Sequence, residues 1–260
     1  PPVAPATCQL QHRQENAVDH RNGDREHRPV HDRTPDPDLT SLDRLGPRIP
    51  AEVLEACNRL PTKPDPVVLI GERVRVRPAT LDDAVELFTI SNGEPVTRLG
   101  RSTEAYDADE LVWRFMPVGP FRSPETYAEH LGSILDRPDW QTFVVEDAAT
   151  GEALGSASLI ANSPTDLKVE IGALWCTPAV QGLGVIQEAC LLQIEHLLTL
   201  GYQRIEWKCH AGNARSRAAA VRLGFRFEGI QDHHMVMKGR RRDTAWFRIL
   251  ADERAQTDGG

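Results

Sequence analysis

Val169-Glu170-Ile171-Gly172-Ala173-Leu174-Trp175-Cys176-Thr177-Pro178-Ala179-Val180-Gln181-Gly182-Leu183-Gly184-Val185-Ile186 is the stretch whose reading decides the fold. Its first half is short, apolar and bounded by a proline, which is how a strand reads. Gln181-Gly182-Leu183-Gly184 then forms a glycine turn. From 184 to 200 the residues Ile186, Cys190, Leu191, Ile194, Leu197 and Leu198 recur at helical spacing, and Gly201 ends the run. A strand that passes through such a turn into a helix is built to hold phosphate. The turn brings bare backbone N–H groups together, and the helix dipole adds partial positive charge there.

Downstream, 203–210 reads as a strand with Ile205, Trp207 and Cys209 on one face. Asn213 caps a helix that Gly224 closes, and strands at 225–237 and 243–250 are joined at Gly239. Upstream, 67–70 and 73–77 read as a hairpin turning at Gly71-Glu72, with apolar residues alternating against Arg in the second arm. Thr80 caps a helix with Asp82 and Asp83 in its first turn. Residues 91–123 are irregular. Ser123-Pro124 opens a helix with a Tyr127, Leu131, Ile134, Leu135 stripe. Residues 141–146 and 153–160 read as an antiparallel pair. The predicted class is therefore α/β (α+β): a curved, mixed but mostly antiparallel central sheet of about seven strands, flanked by helices.

Composition narrows the function classes. The chain has 260 residues, 38 acidic and 30 basic, for a net charge of −8. That balance argues against a nucleic-acid partner. No run approaches the roughly 20 apolar residues of a membrane span. The N-terminus shows no charged region followed by an apolar core, so the expected compartment is the cytoplasm. The five cysteines (8, 57, 176, 190, 209) are scattered and read as reduced thiols. No Cys or His spacing suggests a metal, the four histidines at 12, 20, 27 and 31 included.

Eleven of the 19 prolines lie at or before Pro66, and no aromatic residue precedes Phe88. Such a segment buries too little apolar surface to offset its ordering entropy. Residues 1–66 are expected to be a mostly disordered extension, with one short helix in 49–60. The folded domain is expected at 67–253, and 254–260 as a flexible tail.

The ordered motifs resemble the GNAT superfamily of acyl-CoA-dependent N-acetyltransferases over about 70–253. The superfamily's Gln/Arg-x-x-Gly-x-Gly/Ala signature stands here as Gln181-Gly182-Leu183-Gly184-Val185-Ile186. Its Asn-x-x-Ser/Ala helix ending in Gly-Phe stands as Asn213-Ala214-Arg215-Ser216 and Gly224-Phe225. Leu200-Gly201-Tyr202, Glu206-Trp207-Lys208-Cys209 and the 238–244 run look like the branch holding the ribosomal-protein N-terminal acetyltransferases (RimJ/RimL-like) and small-molecule relatives. Two departures stand out. Ile186 occupies a position of Gly or Ala, and Ala220 stands where many members place a Tyr that protonates the leaving thiolate.

The resemblance implies acetyl-CoA as donor, a primary amine (a protein N-terminus or a small molecule) as acceptor, and direct transfer in a ternary complex. It implies donor binding by the turn from Gln181 to Ile186 (Gln181, Gly182, Leu183, Gly184, Val185, Ile186), by the strand at Leu174 and Cys176, and by Asn213, Arg215 and Ser216. Glu170, placed by strand alternation on the face of Gly172 and Leu174, is the expected base, ahead of Glu206 and His210. Ser216 is the second expected catalytic residue. Trp113, Phe115, Phe121, Trp175 and His234 are expected to line the acceptor pocket. Cys176 and Cys209 have no evident base partner and are read as buried thiols rather than nucleophiles. The alternative reading is a CoA-binding sensor or scaffold without turnover. The oligomeric state is left as monomer or homodimer.

Overall fold

The computed structural model describes residues 49–257, with side chains through Arg254. The expectations for 1–48 and 258–260 lie outside the described residues. The described chain forms an eight-stranded sheet, in keeping with the expected mixed, mostly antiparallel sheet of about seven strands, and a separate two-stranded ribbon. The strands are β1 (Leu69–Ile70), β2 (Val74–Pro78), β3 (Val96–Arg98), β4 (Arg101–Thr103), β5 (Gln141–Asp147), β6 (Ala153–Ser163), β7 (Lys168–Cys176), β8 (Arg204–His210), β9 (Arg226–Met237) and β10 (Arg240–Leu250). The main sheet runs β1-β2-β5-β6-β7-β8-β10-β9, and β3-β4 form the ribbon. The ribbon falls inside the stretch expected to be irregular. Its strands are three residues each, too short to show a period-two pattern.

The helices are α1 (Ala51–Cys57), α2 (Ala84–Thr89), α3 (Pro124–Leu135), α4 (Val185–Leu200), α5 (Ala214–Arg222) and α6 (Ala251–Thr257). Helix α3 starts where Ser123 accepts from Thr126 N, and α5 starts where Asn213 accepts from Ser216 N. Gly201, at φ 99°, ends α4. Helix α4 spans β1, β2, β5, β6 and β7. It buries Ala189, Cys190, Ile194 and Leu197 completely, each large side chain being worth about 2 kcal/mol.

Two expected boundaries shift. Residues 49–66, expected with the extension, are joined to the domain. Ala56 and Leu60 are buried, and Asn162 Nδ2 donates to Pro61 O and Thr62 O at 2.8 Å each. Tyr202 Oη donates in turn to Asn162 Oδ1 at 2.6 Å. The sparse apolar residues of this segment suffice because each meets an existing core surface. At the other end, α6 carries helix on to Thr257.

All pairings but one are antiparallel. The exception is β7 with β8, which pair in parallel through Lys168↔Arg204, Val169↔Ile205 and Glu170↔Glu206 only. Beyond Glu170 and Glu206 the two strands part. The cause lies on the far side of β7, where Ser156↔Trp175 and Ser158↔Gly172 leave one extra residue in β7. Ala173 sits there at φ 51°. A bulge of this kind bends its strand and adds twist, which carries β7 away from β8.

Candidate active site

The bulge reassigns the faces of β7. Residues paired across strands share a face, so Glu170, Gly172 and Trp175 lie together. Leu174 does not join Glu170, as unbroken alternation required. Gly172 has a local role: a Cβ there would lie 2.6 Å from Ile160 Cδ1 and 3.2 Å from Glu170 Oε1. The missing side chain leaves room for Ile160 and, beside it, for the Glu170 carboxylate.

Glu170 is buried at 7% exposure at the point where the strands part. Lys208 Nζ, from β8, is 2.9 Å from Glu170 and 2.9 Å from Glu206, and lies 4.2 Å over the Trp246 ring. The two carboxylates differ. Burial pushes the Glu170 carboxyl above its ordinary value, and Lys208 only partly opposes this. Burial also pushes Glu206 up, but bonds from Arg204 and Lys208 outweigh it and hold Glu206 low. Neighbouring carboxylates set apart in this way suit different tasks, and the raised one is the better proton acceptor near neutral pH.

The glycine turn stands at the open end of the gap. Gly182 and Gly184 have φ of 81° and 79°, and a Cβ on Gly182 would meet nothing within 4 Å. Leu183 N is used by Val180 O and Glu188 N by Gly184 O. The amides of 185–187, in the first turn of α4, have no intrahelical acceptor. The side chains of Val185 and Ile186 turn into the core, so the bulk at 186 leaves the amides clear. Gln181 Nε2 donates to Leu111 O at 2.9 Å, and Gln181 Oε1 accepts from Arg215 Nη1 at 3.0 Å. The predicted donor contacts Gln181 and Arg215 are thus brought together from different elements.

Arg73 was not singled out in the sequence. It read as one of three alternating arginines in a hairpin arm, and only the fold carries it to the turn. Its Nη1 donates to Leu183 O at 2.8 Å, and its N and Nε donate to Glu188 at 2.8 Å each. Burial pushes the Glu188 carboxyl up, but these bonds outweigh burial and hold it low. The clamp ties the turn to β2 and leaves a half-exposed cation beside it.

Ser216 stands elsewhere. Its Oγ accepts from Trp207 Nε1 at 3.1 Å, and Trp207 lies on the face opposite Glu170, because adjacent strand residues alternate. No bond joins Ser216 to Glu170 among the described residues. Burial pushes the Cys176 thiol to about 12, with Arg215 pulling it back slightly, and Cys209 is raised for the same first reason. Neither is poised as a nucleophile. Ala220 is fully buried.

The expected acceptor aromatics separate into three places. Trp113, Phe121 and Trp175 meet: the Trp113 ring centroid is 5.2 Å from that of Phe121 and 5.6 Å from that of Trp175. Trp113 is a core residue at 2% exposure, with Nε1 donating to Ser91 O at 2.8 Å, so it supports the wall rather than forming its surface. Phe115 packs on His210 at 5.3 Å and lines an open cleft of about 350 Å³ with Leu111, Gly212, Asn213 and Arg215. His210 Nδ1 accepts from Gly212 N at 2.9 Å. His234 bonds Thr244 Oγ1 through Nδ1 at 3.0 Å and packs on Trp246 at 5.5 Å. A larger groove of about 620 Å³, between α5 and β9, holds none of the predicted site residues.

The family profile described as "Acetyltransferase (GNAT) domain" matches residues 73–226. The chain is 29% identical over 189 residues, 64% of its own length and 97% of the relative's, to a protein of Bacillus subtilis (strain 168) named "Putative ribosomal N-acetyltransferase YdaF". A crystal structure of a GCN5-related N-acetyltransferase from Brucella melitensis superposes with TM-score 0.65 at 34% identity, over 73% of this chain and 81% of that one. A structure of RimL, a ribosomal L7/L12 alpha-N-protein acetyltransferase, in complex with coenzyme A shares the fold, with TM-score 0.55 at 17% identity over 71% of this chain and 98% of that one. A parallel strand pair that parts beside an amide-lined turn, together with a family match that spans both features, identifies the chain as a member of the GNAT acetyltransferase family and an acyltransferase.

Proposed function

We propose that the protein moves an acetyl group from acetyl-CoA to a primary amine, a protein N-terminus or a small-molecule amine, by direct transfer in a ternary complex. The observation that carries this reading is the parting of β7 and β8 after Glu170 and Glu206. From there the inner edges of 171–176 and 207–210 face a gap without a ladder. The pantetheine arm is an amide chain and suits such an edge, as an added strand does. Gly182, Gly184 and the amides of 185–187 fit the pyrophosphate, with Gln181, Arg215 and Arg73 around it. Leu174 and Cys176 lie on the strand that would meet the arm, and Asn213 and Ser216 at the α5 end of the gap.

Transfer needs a neutral amine, whose pKa in water is about 8 for an α-amine and about 10.4 for a lysine. Glu170 takes that proton as the nitrogen attacks the thioester carbon, and the C–S bond then breaks to release CoA. Backbone N–H groups of β7 along the edge where its ladder with β8 has ended are the natural partners of the carbonyl oxygen as it gains charge. Relatives named for ribosomal proteins favour a protein N-terminus as one acceptor class.

Thermal melts with and without acetyl-CoA, and an amine-panel assay of the wild type against Glu170→Gln, test this reading. Donor stabilisation with acetylation that collapses in the variant is the expected result. Stabilisation without acetylation of any amine would support the sensor alternative instead.

A further inference from the structure

Three arginines follow Gly239. Arg240 and Arg241 are exposed, but Arg242 is 9% exposed. Every other half-buried arginine of the sheet has a carboxylate partner: Arg77 has Glu146 and Asp83, Arg204 has Glu206 and Glu228, and Arg248 has Glu228 and Glu253. Arg242 has none among the described residues. Its one bond is Nη1 to Met237 Sδ at 3.7 Å, and its buried Nε has no acceptor. Four residues on, and so on the same face of β10, the buried Trp246 Nε1 also lacks an acceptor. Leaving a guanidinium buried without an anion is strongly unfavourable, and an unpaired buried indole N–H adds to that cost. Two such donors on one face mark a missing acceptor.

Their neighbours place the gap. Thr244, between them, pairs with His210, and Trp246 pairs with Lys208, whose ammonium bonds Glu170. The charge of Arg242 is felt at Glu170, at Cys209 and at His210. The row from Glu170 through Lys208 and Trp246 to Arg242 therefore runs from an anion that suits an ammonium to a cation with no anion among the described residues.

Building on the acetyl-transfer reading, we propose that Arg242 and Trp246 form a carboxylate subsite beside Glu170, and that the amine acetylated here carries a carboxylate. The planar guanidinium fork matches a planar carboxylate, with the indole N–H as a further donor. A phosphate dianion fits less well, because it would stand near the two buried carboxylates of Glu170 and Glu206. The carboxylate belongs either to a free amino acid or to the first side chain of a peptide.

Matched pairs separate these sources: alanine against alaninamide, and C-terminally amidated Asp-Ala-Ala-Ala against Asn-Ala-Ala-Ala. Each is titrated calorimetrically into the CoA-bound protein and assayed for acetylation with acetyl-CoA. One carboxylated member is expected to bind about tenfold or more tightly than its neutral match. Arg242→Gln is expected to reduce that preference to about twofold through KM, Arg242→Lys and Trp246→Phe to reduce it in part, and all three to keep the stabilisation by acetyl-CoA. Equal binding within both pairs, or a preference unchanged in Arg242→Gln and Trp246→Phe, overturns the subsite. If no amine is acetylated, the transfer reading fails, while calorimetry still judges the subsite by the same criterion.

Discussion

Glu170 carries a consequence for pH. Its carboxyl is raised above the ordinary 4.5 by burial and drawn back by Lys208. A base must be ionised to work, so kcat/KM is expected to fall as pH drops through this raised value. Lys208→Met removes the opposing cation and should move that limb to higher pH. A limb that stays put in Lys208→Met would assign the titration to another group. Glu170→Gln should lower kcat/KM by about 10²–10⁴ while keeping stabilisation by acetyl-CoA. Glu170 was legible in the sequence as a carboxylate on the strand before the glycine turn. Lys208 as its partner was not, because a cross-strand neighbour follows from register, and no local pattern encodes the register of β7 against β8.

At the scale of elements, the bulge in β7 and the turn before α4 do separate jobs. Ala173 at φ 51° bears a left-handed penalty of about 1–2 kcal/mol, against about 0.5–1 kcal/mol that glycine loses in chain entropy. Ala173→Gly should therefore be neutral to about 1 kcal/mol more stable in denaturant unfolding, and clear destabilisation would show that the conformation is not strained. Gly182→Ala meets no neighbour, but its φ of 81° makes it neutral to about 1 kcal/mol destabilising once the same entropy difference is subtracted. Its Cβ would also enter the space offered to phosphate, so KM for acetyl-CoA should rise while the protein stays folded. The Arg77–Asp83 pair that anchors α2 to β2 sets an acid limit. Burial pushes Asp83 up, but bonds from Arg77 and Thr80 outweigh it and leave the carboxyl below 3.8. A depressed carboxylate stabilises the fold above its unfolded value, and that stability is lost as pH falls from 3.8 through the folded value. Asp83→Asn should flatten the acid limb of an unfolding-against-pH curve.

For the whole molecule, donor binding and stability are linked. Acetyl-CoA at 100 times its Kd should add about 2.7 kcal/mol, which for a domain of this size raises Tm by about 5–10 °C. No change in Tm at millimolar acetyl-CoA would remove the donor assignment. The alternation of 73–77, the caps Ser123 and Asn213, and the closing glycines 201 and 224 made most elements readable, since each is a local backbone preference. The β3–β4 ribbon and the docking of 49–66 were not, because they depend on surfaces that exist only once the core has formed.

The order of elements, the amide-lined turn and the family follow from the sequence alone, because helix periodicity, capping and positive-φ glycines are set by residues a few places apart. The tertiary structure decided where the chemistry meets. It shifted Leu174 off the face of Glu170 by one bulge, brought Arg73 to the turn, set Lys208 between two carboxylates, and left Arg242 buried with no carboxylate partner among the described residues. These contacts join residues far apart in the chain, and their energies depend on burial and distance, which neighbouring residues in sequence do not encode.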